Sequence, residues 1–265
     1  MRQDRRVTRM ADELLSERRK DVLWLTLNRP EVHNALNAAM TDALTTAIRA
    51  ASGNHALRAV VITAAGDRSF CSGADLKESA GGMFLSRDGT NPIADVMRAI
   101  EGCDRPVIAR INGRVLAGGL GLVAACDLAY AADHAEFGLP EVRVGLFPAM
   151  VAAKLLAKIP LSQLQEMAYL GAAINAADAE RLGLVNGAVS SAELDGVVED
   201  VLARLRQNAP GAIAAGKAAL LKMRDMPSSE RLTFAENVIA TISGSNEAQE
   251  GRLAFAEKRK PLWVE

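Results

Sequence analysis

Two rhythms of apolar and polar residues run along the chain. Short, nearly unbroken apolar runs occur at VLWLTL (22–27), AVVIT (59–63), PVIARING (106–113) and CDLAYAA (126–132). Asn28-Arg29-Pro30 closes the first and AAGDRSF the second. Short apolar runs between such breakers predict buried strands. Between them the spacing changes to that of helices. One is expected to start at Asn37 or the residues just before it, run through AAMTDALTTAIRAA and end near Gly53-Asn54. Another is expected over NPIADVMRAIEGCD, with Pro92 near its start. GGMFLSRDGTN (81–91) mixes glycine with polar and isolated apolar residues, and predicts a mobile surface loop. From about 149 the pattern is mostly helical through VAAKLLAKI, SQLQEMAYL, AADAERLGL, LDGVVEDVLARLRQ and AIAAGKAALLKM, with a last segment to Lys260. Strands alternating with helices imply an α/β fold, and the tail implies a helical extension. The break at RQNAPG (206–211) divides an α/β core over 1–205 from a C-terminal helical region over 206–265.

Composition narrows the function classes. With 265 residues, 49% of them apolar, the chain can bury one large core. Its 31 basic and 32 acidic residues leave a formal net charge of −1, so nucleic acid is not an expected partner. Four arginines in the first ten residues are followed by ADELLSERRKD and not by an apolar core; they read as a frayed, solvated terminus and not as a signal peptide. No stretch reaches the roughly 18 apolar residues of a membrane span. Cys71, Cys103 and Cys126 are odd in number and lack metal spacing, which suits reduced thiols in a cytoplasmic protein. No metal is expected. His33, His55 and His134 read as solvated or capping residues, and Lys217 and Lys222 as a solvated helix face.

The candidate chemistry begins with GRVLAGGLGLVAACD (113–127), whose glycines sit at the mouth of an expected buried helix after the PVIARI strand. Gly118-Gly119-Leu120-Gly121 fits no nucleotide-binding motif. Bare backbone at a helix start offers unpartnered N–H groups and a favourable dipole for negative charge. On this stretch alone, an anion receptor and mere close helix packing are equally good readings. SFCSGADLKE (69–78) then places a second glycine turn between a strand-like segment and a helix. One backbone donor from each turn could hold one carbonyl oxygen between them, as an oxyanion hole does.

FCSGADLKE (70–78) together with INGRVLAGGLGLVAACDLAYAADHAEFGLPEVRVGLFP (111–148) resembles the crotonase, or enoyl-CoA hydratase/isomerase, superfamily. The resemblance runs from LTLNRPEVHNALN (25–37) through AERLGLVNGAV (179–189) to FAEKRKP (255–261). It implies a ββα-spiral core, a C-terminal helical trimerisation region, and a homo-trimer or a hexamer built as a dimer of trimers. It implies an acyl-CoA thioester as substrate; CoA then belongs to the substrate and no separate cofactor is expected. Position by position, the oxyanion donors fall on the N–H groups of Ala74 and Gly118. Ala74, Asp75, Leu76 and Lys77 match the segment that lines CoA, with Asp75 in a local structural hydrogen bond. Phe255 and Lys258 match tail positions that contact CoA, often from a neighbouring subunit.

The resemblance assigns acid/base catalysis to Glu141 in FGLPE, where apolar acyl chains should desolvate the carboxylate and raise its pKa. The first of the superfamily's two glutamates would fall at position 121, which is Gly121 here. One carboxylate leaves two chemistries: hydration of a 2-enoyl thioester, or Δ3-Δ2 isomerisation in which Glu141 moves a proton between carbons. Glu78 and Asp88 flank the first glycine turn and could supply a second acid. A finer resemblance, to bacterial 3-methylglutaconyl-CoA and isohexenylglutaconyl-CoA hydratases, favours hydration. In that reading the small residue at 121 frees volume for a branched acyl group, and FPAMVA (147–152) replaces a proline-glycine turn. A member that binds acyl-CoA without turnover is the third reading.

Overall fold

The computed structural model describes residues 6–79 and 89–264. The expected loop over 81–91 lies outside the described residues except for its last three, of which Asn91 caps the following helix by accepting from the amides of Ile93 and Ala94.

The strands build two sheets. The larger has the order β1 (Arg6–Ala11), β2 (Leu14–Arg19), β3 (Val22–Leu27), β4 (Ala59–Ala64), β6 (Val107–Ile111), β8 (Leu128–Ala132) and β11 (Gly187–Val189). The smaller has the order β10 (Ala173–Asn175), β9 (Glu136–Gly138), β7 (Arg114–Leu116) and β5 (Ser69–Cys71). From β3 to β11 the large sheet is parallel, and so are β5, β7 and β9 in the small one. Each successive turn of chain, β4 then β5, β6 then β7, β8 then β9, places one strand in each sheet. That repetition is the ββα spiral of the crotonase fold.

Burial on both faces accounts for the unbroken apolar runs. Every residue of β4 is buried, and alternate side chains go to different cores. Val60 and Ile62 join the main core with α1 (Ala38–Ala51) and α3 (Pro92–Gly102). Ala59 and Val61 face a second cluster closed by Val198 and Leu202 of α8 (Leu194–Arg206). The helix expected after Asn37 is α1, and the Asn37 side chain caps it by accepting from the Met40 amide.

Several expectations need correction. The arginine-rich start is not frayed throughout: Arg6–Ala11 form β1, paired antiparallel with β2, while residues 1–5 lie outside the described residues. Strand β2 keeps Leu14 and Ser16 buried while Leu15, Glu17, Arg18 and Arg19 reach solvent, so counting unbroken apolar runs overlooked it. The glycine stretch does not follow the PVIARI strand directly, because β7 intervenes before α4 (Gly118–Ala125). Lys217 is no solvated residue: its side chain is 10% exposed and pairs with Asp127 at 2.7 Å, while also donating to the carbonyls of Ile100 and Arg105. It ties α9 (Pro210–Arg224) to the core, a long-range contact that helical spacing could not reveal. Lys222 lies over the Phe234 ring at 4.9 Å. His33 ends a short turn at φ 57° with its Nδ1 3.1 Å from Ser69 Oγ, and His134 lies within hydrogen-bond distance of Asp67 O and Ser191 Oγ. No group of metal-ligating side chains occurs among the described residues.

Candidate active site

The carboxyl end of β5 leads into Ser72-Gly73-Ala74-Asp75, and then into the short helix α2 (Leu76–Ser79). Here the chain runs beside Leu36 in a one-residue parallel bridge. Leu36 donates to the Gly73 carbonyl at 2.7 Å and accepts from the Asp75 amide at 2.9 Å. Successive peptide groups of extended chain face opposite ways, so the Ala74 N–H between them is turned away from Leu36. Among the described residues it donates to no other group.

The second turn is Ala117-Gly118. Ala117 takes φ 50° and ψ −127°, a region that disfavours side chains, and its amide is held by the Gly138 carbonyl at 3.0 Å. Gly118 is the first residue of α4, so its N–H has no partner within the helix, and none elsewhere among the described residues. The two turns touch. A Cβ built on Gly73 would stand 3.1 Å from Gly118 N and 2.7 Å from Ala117 Cβ. Two unpartnered backbone donors thus meet at the wall of one cavity lined by Ala74, Gly118 and Glu141.

The glycines differ in what stands against them. A Cβ on Gly119 would lie 2.6 Å from the Cys71 carbonyl oxygen, so Gly119 is there for close packing of α4 on β5. A Cβ on Gly118 would stand 3.3 Å from Ile93 Cδ1 and 3.6 Å from Gly73 Cα, a tight but less severe contact. At Gly121 a Cβ would come within 2.0 Å of Met97 Cε and 3.3 Å of Val151 Cγ2. Met97, 1% exposed, therefore fills the volume expected to be free for a branched acyl group. That expectation is overturned, because α3 delivers a side chain from 24 positions upstream in the sequence.

Glu141 sits on a single helical turn, Pro140–Val144, that follows β9 and ends at Gly145 with φ 77°. Its Oε2 is buried and has no hydrogen-bond partner among the described residues. Burial pushes its pKa above the ordinary carboxylate value, against a smaller opposing pull from a backbone hydrogen bond. A carboxylate kept partly dry at a cavity wall, with one oxygen unpartnered among the described residues, is suited to exchanging protons with a bound molecule. The cavity holds about 400 Å³ and is otherwise mostly apolar, with Leu76, Ile93, Leu146, Phe147, Met150 and Val151 on its walls.

The remaining expected site residues are scattered. Leu76 lines the cavity and is 57% exposed. Lys77 is exposed, and its amide donates to Asp75 Oδ1 at 3.1 Å. Asp75 is buried and forms an ion pair with Arg29 at 2.9 Å. Burial works to raise the Asp75 pKa, but hydrogen bonds from Arg29 and the Lys77 amide outweigh it and hold the pKa below the ordinary value. Phe255 and Lys258 are not brought to the cavity by their own chain. Phe255, 87% exposed, lines a separate groove with Ile242, Gly251 and Trp263. Glu78 accepts from Asn37 Nδ2 at 3.3 Å and does not line the cavity, and Asp88 lies outside the described residues. Sequence reasoning did not select Ile93, Leu146, Met150 or Val151, since an apolar wall residue has no signal that separates it from core.

Residues 17–265 match the family model described as enoyl-CoA hydratase/isomerase. The chain belongs to this family. Among curated proteins, carnitinyl-CoA dehydratase of Escherichia coli strain K12 is 35% identical over 260 residues, spanning 96% of this chain and 99% of that protein. Among solved structures, an enoyl-CoA hydratase of Mycobacterium smegmatis superposes with a TM-score of 0.87 at 35% identity, covering 96% of this chain and 99% of the other. Pseudomonas aeruginosa AtuE superposes at 0.88 with 35% identity, covering 96% and 100%. The finer resemblance to glutaconyl-type hydratases is not what these relatives are named for. No helix among the described residues is long and apolar enough to cross a membrane.

Proposed function

We propose that the protein catalyses the reversible addition of water to a 2-enoyl-CoA thioester, with one glutamate, Glu141, as acid/base. The observation that carries this reading is the buried, unpartnered Glu141 Oε2 sharing a cavity with the Ala74 and Gly118 amides. The thioester oxygen accepts from both amides. Glu141 takes a proton from water as the water oxygen bonds to C3, and the alkene electron pair moves through C2 to the thioester oxygen. The enolate so formed takes the proton back from Glu141 at C2, giving the 3-hydroxyacyl-CoA. Dehydration is the same sequence reversed, which suits relatives named both hydratase and dehydratase. Each oxyanion donor is worth about 3–4 kcal/mol at the transition state. So written, the reaction needs the CoA of its substrate and no separate cofactor.

The acyl group we favour is a branched glutaconyl type. Arg143 supports this choice: it lines the cavity, has no carboxylate partner among the described residues, and is steadied by the Gly171 carbonyl at 2.9 Å. We further propose a homo-trimer or a dimer of trimers in the cytoplasm, with residues 206–265 as the trimerisation region. Helix α10 (Ser228–Ser243) buries none of its residues, and Leu232 and Ile239 stand exposed on it. A neighbouring copy covering that layer could bring Phe255 and Lys258 to the CoA.

A panel of CoA thioesters tests the reading: 3-methylglutaconyl, isohexenylglutaconyl, crotonyl, carnitinyl and 3-enoyl, followed for hydration, dehydration and double-bond migration. Hydration abolished by Glu141→Gln, with binding retained, supports it. Migration of a 3-enoyl double bond without hydrated product would establish the isomerase instead, and binding without any turnover would establish a non-catalytic member.

A further inference from the structure

Arg29 stands at the end of β3, some 45 residues before the first oxyanion turn, yet it grips both sides of that turn. One guanidinium nitrogen donates to the Ala35 carbonyl at 2.8 Å, and another pairs with Asp75 Oδ2 at 2.9 Å. Ala35 precedes Leu36 and Asp75 follows Ala74, so the arginine spans the one bridge that orients the Ala74 amide. The pair is secluded from water, at 16% and 11% side-chain exposure, where an ion pair is screened less than at a surface. Arg29 is itself braced, its amide donating to Asn34 Oδ1 at 2.9 Å. Asn34 in turn donates to the carbonyls of Ala65 and Ser69, which flank the approach to β5.

We propose that Arg29 is a positioning residue for catalysis: by clamping Ala35 to Asp75 it holds the Ala74 N–H in line for the thioester oxygen. Arg29 does not line the cavity and touches no reacting atom. Its effect passes through one backbone hydrogen-bond pair, and a small rotation of the Gly73–Ala74 peptide would misalign the donor while leaving the cavity walls intact. The inference rests on the reading of Ala74 as an oxyanion donor. A lysine could keep one of the two contacts but not both, since only the planar fork of arginine reaches two acceptors at fixed geometry.

The test uses full-length Arg29→Met, Arg29→Lys and Asp75→Asn proteins with crotonyl-CoA, or with whichever thioester of the panel is turned over. The second readout is a bound 3-oxoacyl-CoA, whose enolate absorbs in the near ultraviolet; titrating that band reports how well the two amides hold the negative oxygen. For Arg29→Met, kcat should fall on the order of tenfold to hundredfold, less than full loss of a donor, with KM changed by no more than about threefold. The apparent pKa of the bound thioester should rise by about one unit, a tenfold shift. Arg29→Lys should recover part of both losses, and Asp75→Asn should resemble Arg29→Met. If Arg29→Met does not fold, the lysine and asparagine variants carry the same comparison. A folded variant whose melting temperature falls while kcat and the enolate titration stay at wild-type values would overturn the proposal, leaving Arg29 a purely stabilising residue. So would a raised KM with kcat intact. Full turnover by Glu141→Gln would instead refute the functional reading, and the enolate titration, which does not depend on that carboxylate, would still judge Arg29.

Discussion

Gly73 is the position where stability and the proposed chemistry can be separated by one methyl group. Its φ is +93°, and an added Cβ would lie 2.7 Å from Ala117 Cβ and 3.1 Å from Gly118 N. The methyl of Gly73→Ala would therefore wedge between the two turns that carry the proposed oxyanion donors. The backbone strain alone is worth about 1–2 kcal/mol. Overpacking against a backbone nitrogen and the strained Ala117 adds about 1–3 kcal/mol, because neither can swing aside as a flexible side chain would. Gly53 is the control: its φ is +76°, but nothing lies within 4 Å of an added Cβ. Gly53→Ala should thus show the strain cost without the wedge. Chemical denaturation of both variants should place Gly73→Ala about 1–3 kcal/mol below Gly53→Ala. In hydration assays Gly53→Ala should keep wild-type kcat, while Gly73→Ala should lose about 10²-fold, the scale of one displaced oxyanion donor. Equal stability of the two variants, or unimpaired turnover by Gly73→Ala, would refute the account of the touching turns.

Three further outcomes follow from other residues. Burial raises the Glu141 pKa in the folded state, so the protein loses stability as pH climbs through that raised value; Glu141→Gln should melt higher than wild type at about pH 8 and match it at about pH 4, checked by thermal melts at both. Gly121→Ala meets first the flexible tip of Met97 and gains alanine's helix preference, so it should cost less than Gly73→Ala, no more than about 1 kcal/mol, with denaturation of Gly121→Ala as the check. Lys217→Met should destabilise the fold by about 1–3 kcal/mol by leaving Asp127 and two carbonyls short of a donor, and limited proteolysis should cut the C-terminal helices sooner.

Local signals were legible where one segment answers one demand. The β4 run is apolar throughout because both faces of its strand are covered, and Asn37 caps α1 through a bond reaching only three residues. The two glycine turns were legible from bare backbone at a helix start, whereas Glu141 was legible only through the resemblance of FGLPE to the family, since a lone carboxylate in a turn otherwise reads as a surface charge. Strand β2 was not, because only Leu14 and Ser16 of its six residues are buried and its half-exposed charges break the apolar run. The small sheet escaped as well, its strands β7, β9 and β10 being three residues each.

What the sequence determined by itself was therefore the α/β class, the two turns, the lone glutamate and the family they belong to. What only the tertiary structure decided was which groups meet. Met97 over Gly121, Arg29 across Ala35 and Asp75, and Lys217 on Asp127 each join residues tens of positions apart. Side-chain spacing reports the face a residue turns to, at ranges of two to four positions. It says nothing of the partner waiting there, because that partner is delivered by the packing of other elements.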